Sequence, residues 1–469
     1  DLAIENGTFV GNVSVVQVQT GSLEIKGGKF SLAQKWEGKN TYLINCIDDN
    51  FADGTAKVAI SGGTFEDFDP NVSPEKEVNG KVPSFAAPGV GITKNDDGTF
   101  TAEADMVAQI IAADGSSVKA YNVLAAAIAA ATAGQTVTLL ADATEDVTIN
   151  KDITLDLNGK TLTNTNAGKA TVTIAKGATA TVKNGTVKGG DSYYDIQNNG
   201  IATFEGITAT GNNVASLVDN FGTLTINSGS YTGGLDTIKN EPGAKLTITG
   251  GDFKLMKGTS KGFTGVVFNY GDLTITGGTF TQSDKSAPYG QAQVIHTDKS
   301  GSSAPSTVIK DGTFKNLCTS STTAWSVRQT NAAAGATKVS GGTFNKKVSD
   351  SYCADGFIPT KNADGTYGVK EGQYVAQIGS KKYETLADAI RLAAKGATVT
   401  LLANLDLSAT GLTIAKNKDV TLDLNGKTLK LANTDSGNIK VVGKLTLRDS
   451  TDTAKNGTGT GKVWTETPY

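Results

Sequence analysis

Apolar and polar residues alternate with a period of two along much of the chain. Lys245-Leu246-Thr247-Ile248-Thr249 and Asp272-Leu273-Thr274-Ile275-Thr276 place Leu and Ile on one face and Thr on the other. That alternation predicts short, half-buried strands. Such stretches run into a Gly-Gly or similar pair followed by a polar residue and an aromatic. The motif stands at Asn6-Gly7-Thr8-Phe9, Gly27-Gly28-Lys29-Phe30, Gly62-Gly63-Thr64-Phe65, Ser228-Gly229-Ser230-Tyr231 and Gly250-Gly251-Asp252-Phe253. It returns at Gly277-Gly278-Thr279-Phe280, Asp311-Gly312-Thr313-Phe314 and Gly341-Gly342-Thr343-Phe344. Gly7 to Gly28 is 21 residues and Gly229 to Gly251 is 22.

A spacing near 22 residues accommodates three strands of about five residues each with their turns, one coil of a parallel β-helix. Ahead of the alternating strands sit Asn220-Phe221-Gly222, Asn240 before Glu241-Pro242-Gly243, and Asn269-Tyr270-Gly271. Asn tolerates left-handed backbone and bonds its own turn. Stacked coil on coil, these Asn residues are predicted to form a ladder, and the Phe or Tyr after each glycine pair to stack in the core.

A longer repeat overlies the short one. Leu155-Asp156-Leu157-Asn158-Gly159-Lys160-Thr161-Leu162 returns at Leu422 to Leu429, and Asp97-Gly98-Thr99-Phe100 at Asp364-Gly365-Thr366-Tyr367, each 267 residues on. Residues 1–100 therefore read as the last coils and closing segment of one module. Residues 101–370 read as a complete module, and residues 371–469 as the start of the next. Within a module the pattern predicts a hairpin strand at Val107 to Ile111, then a helix at about Asn122 to Ala133, whose counterpart runs from Thr385 to Lys395. Leu386, Ala389, Ile390 and Ala393 recur at helical spacing, and Thr385 with Asp388 makes a capping-box-like start. The helix reads as an end cap over the unpaired edge of the first coil. Roughly nine or ten coils would make a module of about 45 Å at ~4.8 Å per stacked strand, with the short polar segments 101–105 and 368–373 as linkers.

The expected fold is therefore all-β: right-handed parallel β-helix (solenoid) modules with small α-helical caps, arrayed in tandem. Composition agrees. Gly is 56 of 469 residues and Pro only 9, which fits many short strands punctuated by turns and not a disordered chain. The 43 Lys and Arg against 46 Asp and Glu leave a net charge of −3, and only Arg328, Arg391 and Arg448 are arginine. Nucleic-acid binders carry a basic, Arg-rich stripe, so no nucleic-acid partner is expected. No apolar run approaches the ~18 residues of a membrane span. A single His, His296, excludes multi-His metal sites. No metal or cofactor is expected. Cys46, Cys318 and Cys353 form no CxxC pair, and a bridge between Cys318 and Cys353 stays open.

The Gly-Gly-Thr-Phe coil ends, the Leu-Asp-Leu-Asn-Gly-Lys-Thr-Leu strands and the Thr385-Leu386-Ala387-Asp388-Ala389-Ile390 helix start are similar to large secreted or cell-wall-anchored right-handed β-helix proteins of Gram-positive gut bacteria. The resemblance covers essentially the whole chain. It implies an extracellular, cell-surface bacterial repeat protein, an adhesin or rigid stalk without catalytic residues. Its partners would be host or dietary glycans or mucin, held by multivalent weak contacts, and tandem modules of the same chain.

The residue search gives few points of chemistry. Trp325, Tyr289, Tyr193, Tyr194 and Trp36 lie in insertions that break the repeat, where a solenoid usually carries its binding surface. Their rings are candidates for stacking on sugars. A polysaccharide lyase or glycoside hydrolase would need clustered carboxylates. Asp191 with Asp195, and Asp219 with Asp236 on stacked coils, are the available pairs. His296 is read as replacing a ladder residue. A third reading is a self-assembling structural fibre, against which the end caps argue.

Overall fold

The computed structural model describes residues 1–34, 42–73, 84–164, 166, 168–190, 193–211, 214–256, 264–287, 293–319, 324–431, 439–454 and 457–465. The chain forms two compact units, Asp1–Tyr352 with Lys361–Gly368, and Cys353–Thr360 with Val369–Tyr469.

The first unit is a parallel β-helix. A typical coil has three strands, Val218–Asn220, Thr223–Ile226 and Gly229–Thr232, and the next repeats them at Ile238–Asn240, Lys245–Ile248 and Asp252–Leu255. First strands of successive coils pair in parallel into an eight-stranded sheet, from Val147–Ile149 to Trp325–Thr330. Second and third strands share one long sheet that bends at the coil corner. Among the described residues eight coils carry all three strands, and Thr136–Leu139 with Ala143–Thr144 add an incomplete one before them, which makes nine, within the roughly nine or ten expected from the repeat spacing.

The register explains the motifs. Leu224, Leu246 and Leu273 are successive partners, as are Tyr231, Phe253, Phe280, Phe314 and Phe344. The rings of that second row stack with centroids 4.7–5.0 Å apart and planes within 5–10°. Parallel rings at this spacing are imposed by the strand separation. The glycine before each aromatic has a steric cause. Gly278 has φ +102°, and a Cβ there would sit 3.1 Å from the Gly251 carbonyl oxygen of the coil below. The Asn ladder is present and fully buried. Asn198 Nδ2 donates to Asn220 Oδ1 at 2.8 Å, Asn220 to Asn240 at 2.7 Å, and Asn240 to Asn269 at 2.7 Å. Asn269 then donates to Thr307 Oγ1, and Thr307 meets Thr297.

The ends of this unit carry the rest of the module plan. The helix α1 (Leu124–Ala130) is shorter than expected at both ends and lies over Val147–Ile149 of the first coil. Residues 1–100 hold their own core, in which Phe9, Phe30 and Phe65 stack at 5.0 Å. They end in the antiparallel pair Gly91–Lys94 and Thr99–Glu103. This pair docks directly on the hairpin Ala108–Ile111 with Ser117–Tyr121. The buried Gln109 amide accepts from Ile92 N at 3.1 Å and donates to Ile92 O at 3.0 Å, mimicking a strand. Asp69 accepts from Ser117 N and Oγ, and Thr93 Oγ1 accepts from Ala120 N. Segment 101–105 is thus held by docked hairpins on either side, not strung as a free tether.

The second unit opens the same way. A hairpin, Ala376–Ile378 with Lys381–Tyr383, precedes helix α2 (Leu386–Leu392), whose Leu386, Ala389 and Ile390 are buried as the periodicity predicts. Parallel strands follow at Ala397–Leu401, Asp419–Asp423 and Lys444–Arg448 around a separate apolar core.

Candidate functional site

The position before each ladder Asn points outward from the eight-stranded sheet. Register makes Gln197, Asp219, Lys239, Phe268, His296 and Arg328 consecutive partners in this row. The interior is nearly invariant from coil to coil, whereas this row changes its chemistry at every step. Its middle holds a cluster of buried polar and charged side chains.

Asp219 is 0% exposed, and its carboxyl lies against the Tyr194 hydroxyl and the Glu241 carboxyl. Burial, then the neighbouring Glu241 carboxyl, pushes its pKa up. Tyr194 faces it, and burial followed by the Asp219 charge pushes that phenol up to about 12. Lys239, the next residue in the row, pairs with Glu241 and lies 5.9 Å from the Tyr270 ring centroid. Burial is the largest influence and works against the Lys239 charge, but the bond to Glu241 together with the charges of Glu241, Asp219 and Tyr194 outweighs it and leaves the ammonium favoured. Two further carboxyls lie close in the chain. Asp195 and Asp236 are each raised to about 7 by burial, with Asp236 accepting from Gly265 N at 2.8 Å. Among the described residues no three His, Cys, Asp or Glu side chains are placed to hold a metal ion.

His296 does not take a ladder position. Thr297 does, as the partner of Asn269, and His296 sits one place earlier, on the outward row. The reason is the pleat: a one-residue offset moves a side chain to the other face of a strand. Its ring meets Phe268 edge-on at 4.6 Å, its Nε2 pairs with Thr330 Oγ1 at 2.8 Å, and burial lowers its pKa to about 4.

Of the aromatic candidates, Tyr193 and Tyr194 are half-buried neighbours with centroids 4.6 Å apart, at the rim of the Asp219 cluster. Trp325 stands in the last strand of the sheet, half-buried, with the Arg328 guanidinium 4.3 Å over its ring. The structure brings the two tyrosines together and leaves Trp325 apart from them. Tyr289 and Trp36 lie outside the described residues, as does Asp191. Sequence reading missed Lys239 and Glu241. Aligning the coils on their Asn residues would have exposed them, since Lys239 directly precedes Asn240 and Glu241 directly follows it. All three cysteines are free thiols.

Among the described residues no helix is long and apolar enough to cross a membrane. Comparison with protein-family models, with curated proteins and with solved structures finds no match to this chain.

Proposed function

We propose that this chain is part of a secreted or cell-surface bacterial protein that acts without catalysis, as an adhesin or rigid stalk, touching glycans through weak contacts repeated along the solenoid. The reading rests on the contrast across each coil. Inside, the same Asn and the same ring recur, which builds length and stiffness. Outside, one row varies, and half-buried rings stand at separate points of the unit beside it: Tyr193 with Tyr194 ahead of the strand Ile196–Asn198, and Trp325 under Arg328. Separate weak points on one rigid body gain strength through linkage. A lyase or hydrolase would draw on Asp195, Asp219 and Asp236, but all three are buried and present no open carboxylate pair to a polysaccharide.

Labelled full chain offered to a panel of host and plant glycans, mucin included, tests the proposal. Saturable binding, weakened several-fold by Trp325→Ala or Tyr194→Ala, supports the adhesin. Absence of binding to every glycan leaves the stalk. Shortening of the glycan during incubation overturns the non-catalytic reading.

A further inference from the structure

We infer that the hollow over the coil corner 270–271 is a pocket for one neutral sugar residue, packed against the Tyr270 ring and held by Asp272 and the hydroxyls of Ser300, Ser302 and Ser303. The inference rests on the glycan reading above and gives it a site that neither Tyr193 with Tyr194 nor Trp325 supplies.

The corners between first and second strands carry it first. They hold four residues at 241–244, two at 270–271 and seven at 299–305. These three corners are stacked, because Asn240, Asn269 and Thr297 are successive partners, as are Lys245, Asp272 and Ser306. The shortest corner is therefore recessed between two longer ones. No other two-residue corner among the described coils has a longer neighbour on both sides. The recess is a hollow of about 330 Å³, within the ~300–1,000 Å³ of small-ligand sites.

The lining is the second observation. Tyr270 is half-buried, and its ring packs against Phe268 with centroids 4.8 Å apart. Asp272 Oδ1 accepts from Ser306 Oγ at 2.6 Å, while Oδ2 accepts no hydrogen bond among the described residues. The long corner is shaped by its own bonds: Ser300 N donates to Ser303 Oγ at 2.9 Å, and Ser303 N to Ser300 O at 3.0 Å. Its base is tied at Asp298, whose Oδ1 accepts from Lys299 N and Asn331 Nδ2.

These parts match one ligand class. The C–H face of a sugar ring is apolar and packs on an aromatic ring. Neighbouring sugar hydroxyls donate to a carboxylate in charge-assisted bonds, and Ser hydroxyls rotate to donate or accept. Among the described residues no Lys or Arg lines the hollow, so nothing there neutralises an anion. Lys239 Nζ, 5.9 Å from the Tyr270 centroid, already places a positive charge at that ring and disfavours a cationic ligand. Asp272 alone supplies too few oxygens for calcium.

Methyl glycosides of glucose, galactose, mannose and N-acetylglucosamine, titrated into the full chain, test the pocket. The readout is the amide resonances of Gly243, Gly271 and Ala304, which line it. At least one glycoside should shift them saturably. Tyr270→Ala should weaken that binding about tenfold, and Asp272→Asn, which still accepts from Ser306, several-fold. Ser302→Trp, at an exposed position, should fill the hollow and abolish the shifts with an unchanged circular dichroism spectrum. Sugar binding to the chain that leaves these amides unmoved, or that survives all three substitutions, overturns the pocket and leaves the glycan reading standing. Absence of binding by any glycoside, or by any member of the glycan panel, overturns the pocket and the adhesin together.

Discussion

The two capping helices do one job with different parts. Both bury the same face: Leu124, Ala127 and Ile128 in α1, Leu386, Ala389 and Ile390 in α2. Both end under a lysine from the following turn. Lys151 donates to Ala129 O and Ala131 O, and Lys418 to Arg391 O and Ala393 O. Their starts differ. Val123 has no side chain able to cap α1, and Glu145, from the loop before the first coil, accepts from Leu124 N and Ala125 N at 2.9 Å each. Thr385 caps α2 itself by accepting from Asp388 N, and Asp388 pairs with Arg391 one turn on. The connection to the next strand is also longer in the second unit, from Leu405–Leu407 to Leu412–Ile414 against Ala143–Thr144 to Val147–Ile149 in the first. Leu405, Leu407 and Leu412 then line a groove of about 770 Å³ beside Leu386 and Ile390. A cap supplied by tertiary contact constrains the loop; a local cap releases it.

The units also differ in how they hold their acids, and this gives the largest expected effect. Asp195 and Asp236 of the first unit have raised pKa values, from 3.8 to about 7. The folded state then binds more protons than the unfolded one, so the stabilisation is complete below about pH 4 and is lost as pH rises to 7. Each carboxyl accounts for on the order of 4 kcal/mol across that range. In the second unit Asp388, Asp423 and Asp449 are lowered, so their contribution is present above the ordinary carboxylate range and lost on acidification. Calorimetry between pH 4 and 7 should show the first unit gaining stability as pH falls, less the part that buried His296 takes back below its ordinary pKa, while the second gains none. Asp236→Asn, which keeps an oxygen for Gly265 N, should flatten the first unit's slope. An unchanged slope in that variant would break the comparison.

The shared apolar face comes next. Ile128→Ala and Ile390→Ala remove side chains that are each 3% exposed, and each should cost about 2–5 kcal/mol by denaturant unfolding. Equal costs would confirm that the two helices use this face alike. The starts should then separate the helices. Glu145→Gln weakens the bidentate cap of α1 and is expected to cost about 1–2 kcal/mol. Adding Val123→Thr, which gives α1 the local cap of α2, should recover part of that loss. Thr385→Ala should cost about 1 kcal/mol. Arg391→Ala, at an exposed pair, should change the midpoint by less than any of the others.

Much of this was legible in the residues. The period-two strands, the glycine pairs, the stacked rings and the Asn ladder follow from local sterics repeated at a fixed spacing, and register then propagates them from coil to coil. The face of α2 and its Thr385 cap are equally local. The cap of α1 was not legible, because Val123 gives no sign of it and Glu145 lies 21 residues away. The candidate site was only half legible. Asp219 and Asp236 were paired on stacked coils and Tyr194 was set among the candidate rings, while Lys239 and Glu241 were not picked out.

The sequence by itself determined a β-helix built of coils and its interior ladders, because each depends on contacts that recur at constant separation. Tertiary structure alone decided that His296 faces outward, that Gln109 bonds Ile92 and Asp69 bonds Ser117, and that Asp219, Lys239 and Glu241 meet. Those outcomes depend on which side chains the pleat turns to the same face of stacked strands, and on which loops then bury them. A single strand, read alone, specifies neither.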